Sequence, residues 1–157
     1  YTDVILKAGK IWDKVPFPLL MIPNANLSYT IQYESYALMN AMEFLNDQYL
    51  SWDVTYFVNG ALLNRIPLIK ELRWREVLSF RGLYGDLSDK NNPAYSDGLY
   101  LFPEGSYKME NQPYMEVGVG VENIFRFLRF DYVWRLTYRD LPDVDTSGLR
   151  VSFHFTF

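Results

Sequence analysis

Few residues in this chain of 157 could carry reaction chemistry. His154 is the single imidazole, and Ser152 stands two residues away on the same face of an alternating segment. A barrel-wall hydrolase could use such a pair, with His154 as the base. A polar residue on the inward side of a wall is the simpler reading, and it is preferred. Glu116 and Glu122 also share a face. Six residues along a strand place them ~20 Å apart, beyond the ~10 Å of a glycosidase pair. Asp140, Asp143 and Asp145 offer oxygen ligands for a hard cation such as Ca²⁺, but their spacing fits no EF-hand loop. They read as a solvated acidic loop. Gly118-Val119-Gly120 lies inside a strand and not between a strand and a helix, which argues against a dinucleotide site. With no cysteine there are no disulfides, thiolate metal sites or cysteine nucleophiles. The expectation is a protein that is not an enzyme and holds no cofactor and no metal.

The elements that must position these residues are read from composition first. Apolar residues make up 49% and aromatic residues 18%, too apolar for a disordered chain. A net charge of −4 argues against a general nucleic-acid binder. No stretch reaches the ~18 consecutive apolar residues of a spanning helix. The chain opens Tyr1-Thr2-Asp3-Val4 without a signal segment, as a fragment or a processed chain would.

The dominant hydrophobic period is two. Leu149, Val151, Phe153, Phe155 and Phe157 alternate with Arg150, Ser152, His154 and Thr156. Phe130, Tyr132, Trp134 and Leu136 alternate with Arg129, Asp131, Val133 and Arg135. Met115, Val117, Val119 and Val121 alternate with Glu116, Gly118, Gly120 and Glu122. Leu50, Trp52, Val54 and Tyr56 alternate with Tyr49, Ser51, Asp53 and Thr55, and Leu27 to Glu34 repeats the pattern. Between Arg73 and Tyr84, Trp74, Leu78 and Phe80 oppose Arg73, Arg75, Ser79 and Arg81. Glu76 falls on the wrong face there, which predicts a bulge or an end effect. Together these give seven antiparallel strands, over 1–12, 27–34, 43–59, 72–84, 113–123, 127–139 and 148–157. Residues 61–72 read as a structured turn, because Pro67 interrupts any helix. Segments 13–26, 60–71 and 124–126 read as turns at one end. Segments 35–42, 85–112 and 140–147 read as longer loops at the other.

Two readings of the faces compete. A lipocalin-like soluble barrel turns its apolar face inward around a ligand. A transmembrane barrel turns that face to lipid and lines its lumen with the polar one. Glycines beside Glu116 and Glu122 favour the second, since they leave room in a crowded interior. So does an Arg-rich, Lys-poor polar face, because Arg pairs with carboxylates in confined space. The predicted lumen ion-pair residues are Arg73, Arg75, Arg81, Arg129, Arg135 and Arg150, with Asp53, Glu116, Glu122 and Asp131. The predicted lipid-facing aromatics are Trp52, Tyr56, Trp74, Tyr132, Trp134, Phe153, Phe155 and Phe157. Bacterial barrels use an even number of strands. Seven therefore imply at least one more, from upstream of Tyr1 or from another chain.

The segments Tyr114 to Phe125, Leu128-Arg129-Phe130-Asp131-Tyr132 and Leu149 to Phe157 resemble the last three strands of the BamA-like surface-antigen superfamily. Val15 to Leu20, Ala37-Leu38-Met39-Asn40, Glu43 to Tyr49, Asn64 to Leu68 and Arg75-Glu76-Val77 resemble a Bacteroidota outer-membrane family of unknown function. Members of that family look like a carboxypeptidase-regulatory-like domain followed by such a barrel. The resemblance implies that residues 1–157 form the C-terminal part of one outer-membrane β-barrel domain of about sixteen strands. It implies outer-membrane lipid, upstream barrel strands and other envelope proteins as partners, with no nucleic acid. The implied role is structural, in an envelope complex linked to protein assembly or translocation. Residues 35–42 lack the V-R-G-F/Y-like motif of assembly-type members, so insertase activity is not carried over. The alternatives are a soluble ligand-binding barrel and a barrel-wall hydrolase using His154.

Overall fold

The computed structural model describes residues 1–30 and 34–153. Six strands form one antiparallel sheet, each bonded to its neighbour in chain order. They are β1 (Thr2–Lys10), β2 (Gln48–Phe57), β3 (Arg75–Asp86), β4 (Tyr114–Ile124), β5 (Leu128–Arg135) and β6 (Ser147–Phe153). Helix is limited to short 3-10 turns and α1 (Pro67–Lys70), which starts on the proline that opens it. No helix of the described residues is long and apolar enough to cross a membrane, a fact that leaves strands untouched.

Of the expected strand over 27–34, the described residues form no named strand: Thr30 makes a single parallel bridge to Val151 of β6, whose N–H donates to the Tyr29 carbonyl at 2.7 Å. Val4 instead pairs directly with Val54, making β1 and β2 neighbours. From Leu27 to Thr30 the alternation competes with bonds made by Asn26. Its side-chain oxygen accepts the Ser28 N–H at 3.0 Å, and its amide nitrogen donates to the Thr30 carbonyl at 2.7 Å. An asparagine that satisfies its neighbours' backbone groups offers them a turn in place of a ladder. Leu27 and Tyr29 are exposed, while Ile31 and Tyr33 lie outside the described residues. So do His154, Phe155 and Phe157.

Without that strand, residues 11–47 become one long insert between β1 and β2. Segment 13–26 therefore sits at the long-loop end, with 87–113 and 136–146, and not at the opposite end as expected. Residues 43–47 belong to the insert, not to β2. The strand expected over 127–139 ends at Arg135. Glu76 does stand on the apolar face, and the ladder beside it is regular, Glu76 facing Val121. Its carboxylate takes the N–H groups of Leu62 (3.0 Å) and Leu63 in the turn above, so the mismatch is an end effect. A bulge lies in β4 instead, between Val121 and Ile124, where Asn123 adopts a φ of 65°.

Burial is inverted relative to a water-soluble sheet. Glu116, Arg135, Asp131 and Arg150 on the polar face are buried. On the apolar face Leu78, Phe80, Val119, Tyr132, Trp134 and Leu149 are 38–50% exposed. The insert covers the polar face. Tyr36, Met39 and Phe44 pack there against Leu83 and Tyr114 of the sheet, and Ala37 and Leu38 against Val133.

One glycine is required on the apolar side. The Trp52 indole of β2 lies flat over Gly82 of β3, and a Cβ there would come within 2.0 Å of the ring. Gly82→Ala is expected to destabilise the fold by about 1–3 kcal/mol through overpacking. The loss should largely disappear on adding Trp52→Ala, read as a denaturation midpoint.

Candidate functional site

The register aligns charges of alternating sign across four strands. Asp53 of β2 faces Arg81 of β3, which faces Glu116 of β4, which faces Arg135 of β5. Period-two alternation puts all four on the polar face. Opposite charges on facing strands attract, and Arg brings extra donors that reach beyond its partner.

Those spare donors and acceptors hold the insert. Arg81 keeps its Nε 2.9 Å from an Asp53 oxygen and donates through Nη1 to the Ser35 carbonyl at 2.9 Å. Glu116 accepts the N–H of Ala37 at 3.0 Å and of Leu38 at 2.7 Å, along with the Tyr114 hydroxyl. Arg135 donates to the Leu38 carbonyl at 3.1 Å and forms a two-point ion pair with Glu43. Its guanidinium also lies 4.8 Å from the centre of the Tyr114 ring. One strand further on, Arg150 donates to the Ala37 carbonyl. Three strands thus grip residues 37–38 from both sides of the peptide chain.

Tyr36 adds a hydroxyl donated to the Gly82 carbonyl at 3.0 Å. Burial, and then the nearby Glu116 carboxylate, pushes its phenol well up, so it stays protonated and keeps donating. Below this row, Arg129 donates twice to Asp131, both at 2.7 Å. The Asp131 carboxylate fills the space above Gly120, where a Cβ would come within 2.4 Å of it. Gly118 makes room in the same way for Ser79. These glycines give space to polar groups from neighbouring strands.

The row of charges holds the insert through backbone groups. Both Glu116 oxygens carry donors, so neither is free to act as a base. Of the expected ion-pair residues, Asp53, Arg81, Glu116, Asp131, Arg135, Arg129 and Arg150 come together on the polar face. Arg75 and Glu122 face each other at its rim. Arg73 stands apart, exposed in a turn at a φ of 54°. Trp52, Tyr56, Tyr132, Trp134 and Phe153 lie on the opposite face, and Trp74 immediately precedes β3. Asp140, Asp143 and Asp145 are exposed, and no group of acidic or imidazole side chains among the described residues converges as a metal site.

Glu43 was not among the expected partners, yet it forms the most buried ion pair described here, 0% and 1% exposed at the two side chains. A carboxylate between Met42 and Phe44-Leu45 is an available signal, since an acid in an apolar run needs a partner. Residues 35–47, which dock on the polar face, carry no periodicity that would reveal it.

Glu116→Ala should free the insert, because two buried N–H groups and the Tyr114 hydroxyl lose their acceptor. Limited proteolysis of the folded protein should then cut between residues 34 and 42, where the parent chain resists.

Comparison with family models, curated proteins and solved structures finds no match to this chain.

Proposed function

We propose that the chain is the C-terminal wall of an outer-membrane β-barrel, with the apolar face in lipid, the polar face lining the lumen, and the insert latched inside. The reading is carried by the inverted burial, with ion pairs covered and aromatic and aliphatic rows left open. Water penalises that arrangement on both faces, and hydrocarbon outside a polar interior favours it. A lipocalin-like barrel needs the apolar face to enclose a pocket, which is the opposite arrangement.

The alternation of connections supports the same reading. Turns 58–74 and 125–127 lie at one end, and the longer segments 11–47, 87–113 and 136–146 at the other. Outer-membrane barrels place short turns in the periplasm and long loops outside. The outer edge of β1 is unpaired among the described residues and needs further strands to close it in lipid. The glycine-rich β4, the tight turn and the Leu-Arg-Phe-Asp-Tyr strand fit the order of the final strands of BamA-like barrels. The role we assign is structural: a rigid wall with a fixed internal plug, within an envelope complex tied to assembly or translocation.

Fractionation tests the reading. The full-length protein should sediment with outer membranes, resist carbonate extraction, and dissolve only in detergent. Its gel migration should shift on boiling. A monodisperse protein in buffer without detergent would overturn the assignment.

A further inference from the structure

The two ends of the sheet differ sharply in charge. Segments 11–47, 87–113 and 136–146 together carry eleven Asp or Glu against four Lys or Arg, and all of the acids but Glu43 and Asp47, which are buried, are exposed. The opposite turns, 58–74 and 125–127, carry Arg65, Lys70, Arg73 and Arg126 against Glu71 alone. All four cations are exposed. Among them stand Leu62 (63% exposed), Leu68 (84%), Leu72 (51%) and Phe125 (76%). Glu76 fixes this turn in place. It projects from the apolar face and binds the N–H groups of Leu62 and Leu63, which ties the leucine-bearing turn to that same face.

From these observations we propose that turn 58–74, with the tip at Phe125-Arg126, is an interfacial anchor for anionic phospholipid. The inference rests on the membrane reading and adds the lipid class that the short-turn end selects. Leucines continuous with the apolar face enter the acyl boundary, and the four cations meet headgroup phosphates. Apolar burial and electrostatic attraction then act together, as in interfacial segments generally. Each basic residue near an anionic surface adds to the attraction. The acidic loops at the other end would be repelled by the same surface, so the charge difference also sets which way the wall faces.

The test uses the full-length protein reconstituted in vesicles of phosphatidylcholine alone or with added phosphatidylglycerol. A nitroxide is attached at Leu68→Cys or, separately, at Leu78→Cys on the apolar face of β3. Collision with oxygen and with a water-soluble nickel chelate reports depth. The Leu78 label should be reached by oxygen and shielded from nickel in both lipids. The Leu68 label should sit at headgroup depth, and nickel collisions should fall roughly tenfold when phosphatidylglycerol is added. Combining Arg65→Gln, Lys70→Gln, Arg73→Gln and Arg126→Gln should abolish that response and leave the Leu78 label unchanged.

Each contrary result has its own meaning. A Leu68 label open to nickel in both lipids, with Leu78 in hydrocarbon, overturns the anchor and spares the barrel. Equal protection in both lipids overturns the selection for anionic headgroups. Shielding of Leu68 from both reagents points to a protein partner at this end and overturns the proposal. If the Leu78 label also stays in water, the membrane reading itself fails.

Discussion

Glu43→Ala is expected to lower the stability of the folded protein by about 3–5 kcal/mol, the range for breaking a buried ion pair from one side. Arg135 is fully covered and has Glu43 as its only carboxylate partner among the described contacts. Its remaining bonds go to the carbonyls of Leu38 and Thr137, which cannot neutralise it. Removing Glu43 therefore leaves a buried cation without its ion-pair partner, the Glu116 carboxylate on the facing strand being taken up by Ala37, Leu38 and Tyr114. Replacing both members with apolar residues of similar size, Glu43→Leu with Arg135→Met, should recover most of the loss. The measurement is a denaturant midpoint in detergent micelles for the parent, the single variants and the double. A double variant no more stable than Glu43→Ala would show that packing at residue 43, and not the charge pair, sets the effect.

The second large effect concerns the other face. Val119 lies in the middle of β4 on the apolar side, 45% exposed, facing Leu78 and Tyr132 on the adjacent strands. An arginine in hydrocarbon near the midplane costs about 2–4 kcal/mol. Val119→Arg and Trp134→Arg should therefore both lower the folded fraction on dilution into vesicles. Thr55→Arg should cost much less. Thr55 is on the polar face, with Ser79 opposite and the Asp53 carboxylate close by. Ser152 is a poorer control, because it is buried beside Arg150 and faces Arg129. Equal losses at Val119, Trp134 and Thr55 would reverse the assignment of faces.

Five of the strands were legible in the sequence because each repeats its pattern locally, while β1 alternates only weakly. In β2, β4 and β5 the alternation marks the face of each residue, and register then follows from pairing. Leu27 to Tyr33 shows the limit of that signal. Its alternation is as regular as that of β4, but Asn26 bonds to Ser28 and Thr30, and the described residues reach the sheet only through the bridge of Thr30 to Val151. The row Asp53, Arg81, Glu116 and Arg135 was legible as a set of residue types on one face. Its target was not. Ala37 and Glu116 are 79 residues apart, and Leu38 and Arg135 are 97 apart. No local pattern encodes a contact at that separation. Arg73 was placed with the polar row by alternation alone, but it precedes β3 in a left-handed turn, where it is exposed.

The grip on residues 35–38 has a consequence for inheritance. Arg81, Glu116, Arg135 and Arg150 take hold of carbonyl oxygens and amide hydrogens, groups that nearly every amino acid supplies alike. That part of the lock tolerates any spelling with an amide hydrogen, while the buried side chains of Tyr36, Ala37 and Leu38 add a demand on shape. Proline at 36, 37 or 38 would delete a bonded amide hydrogen.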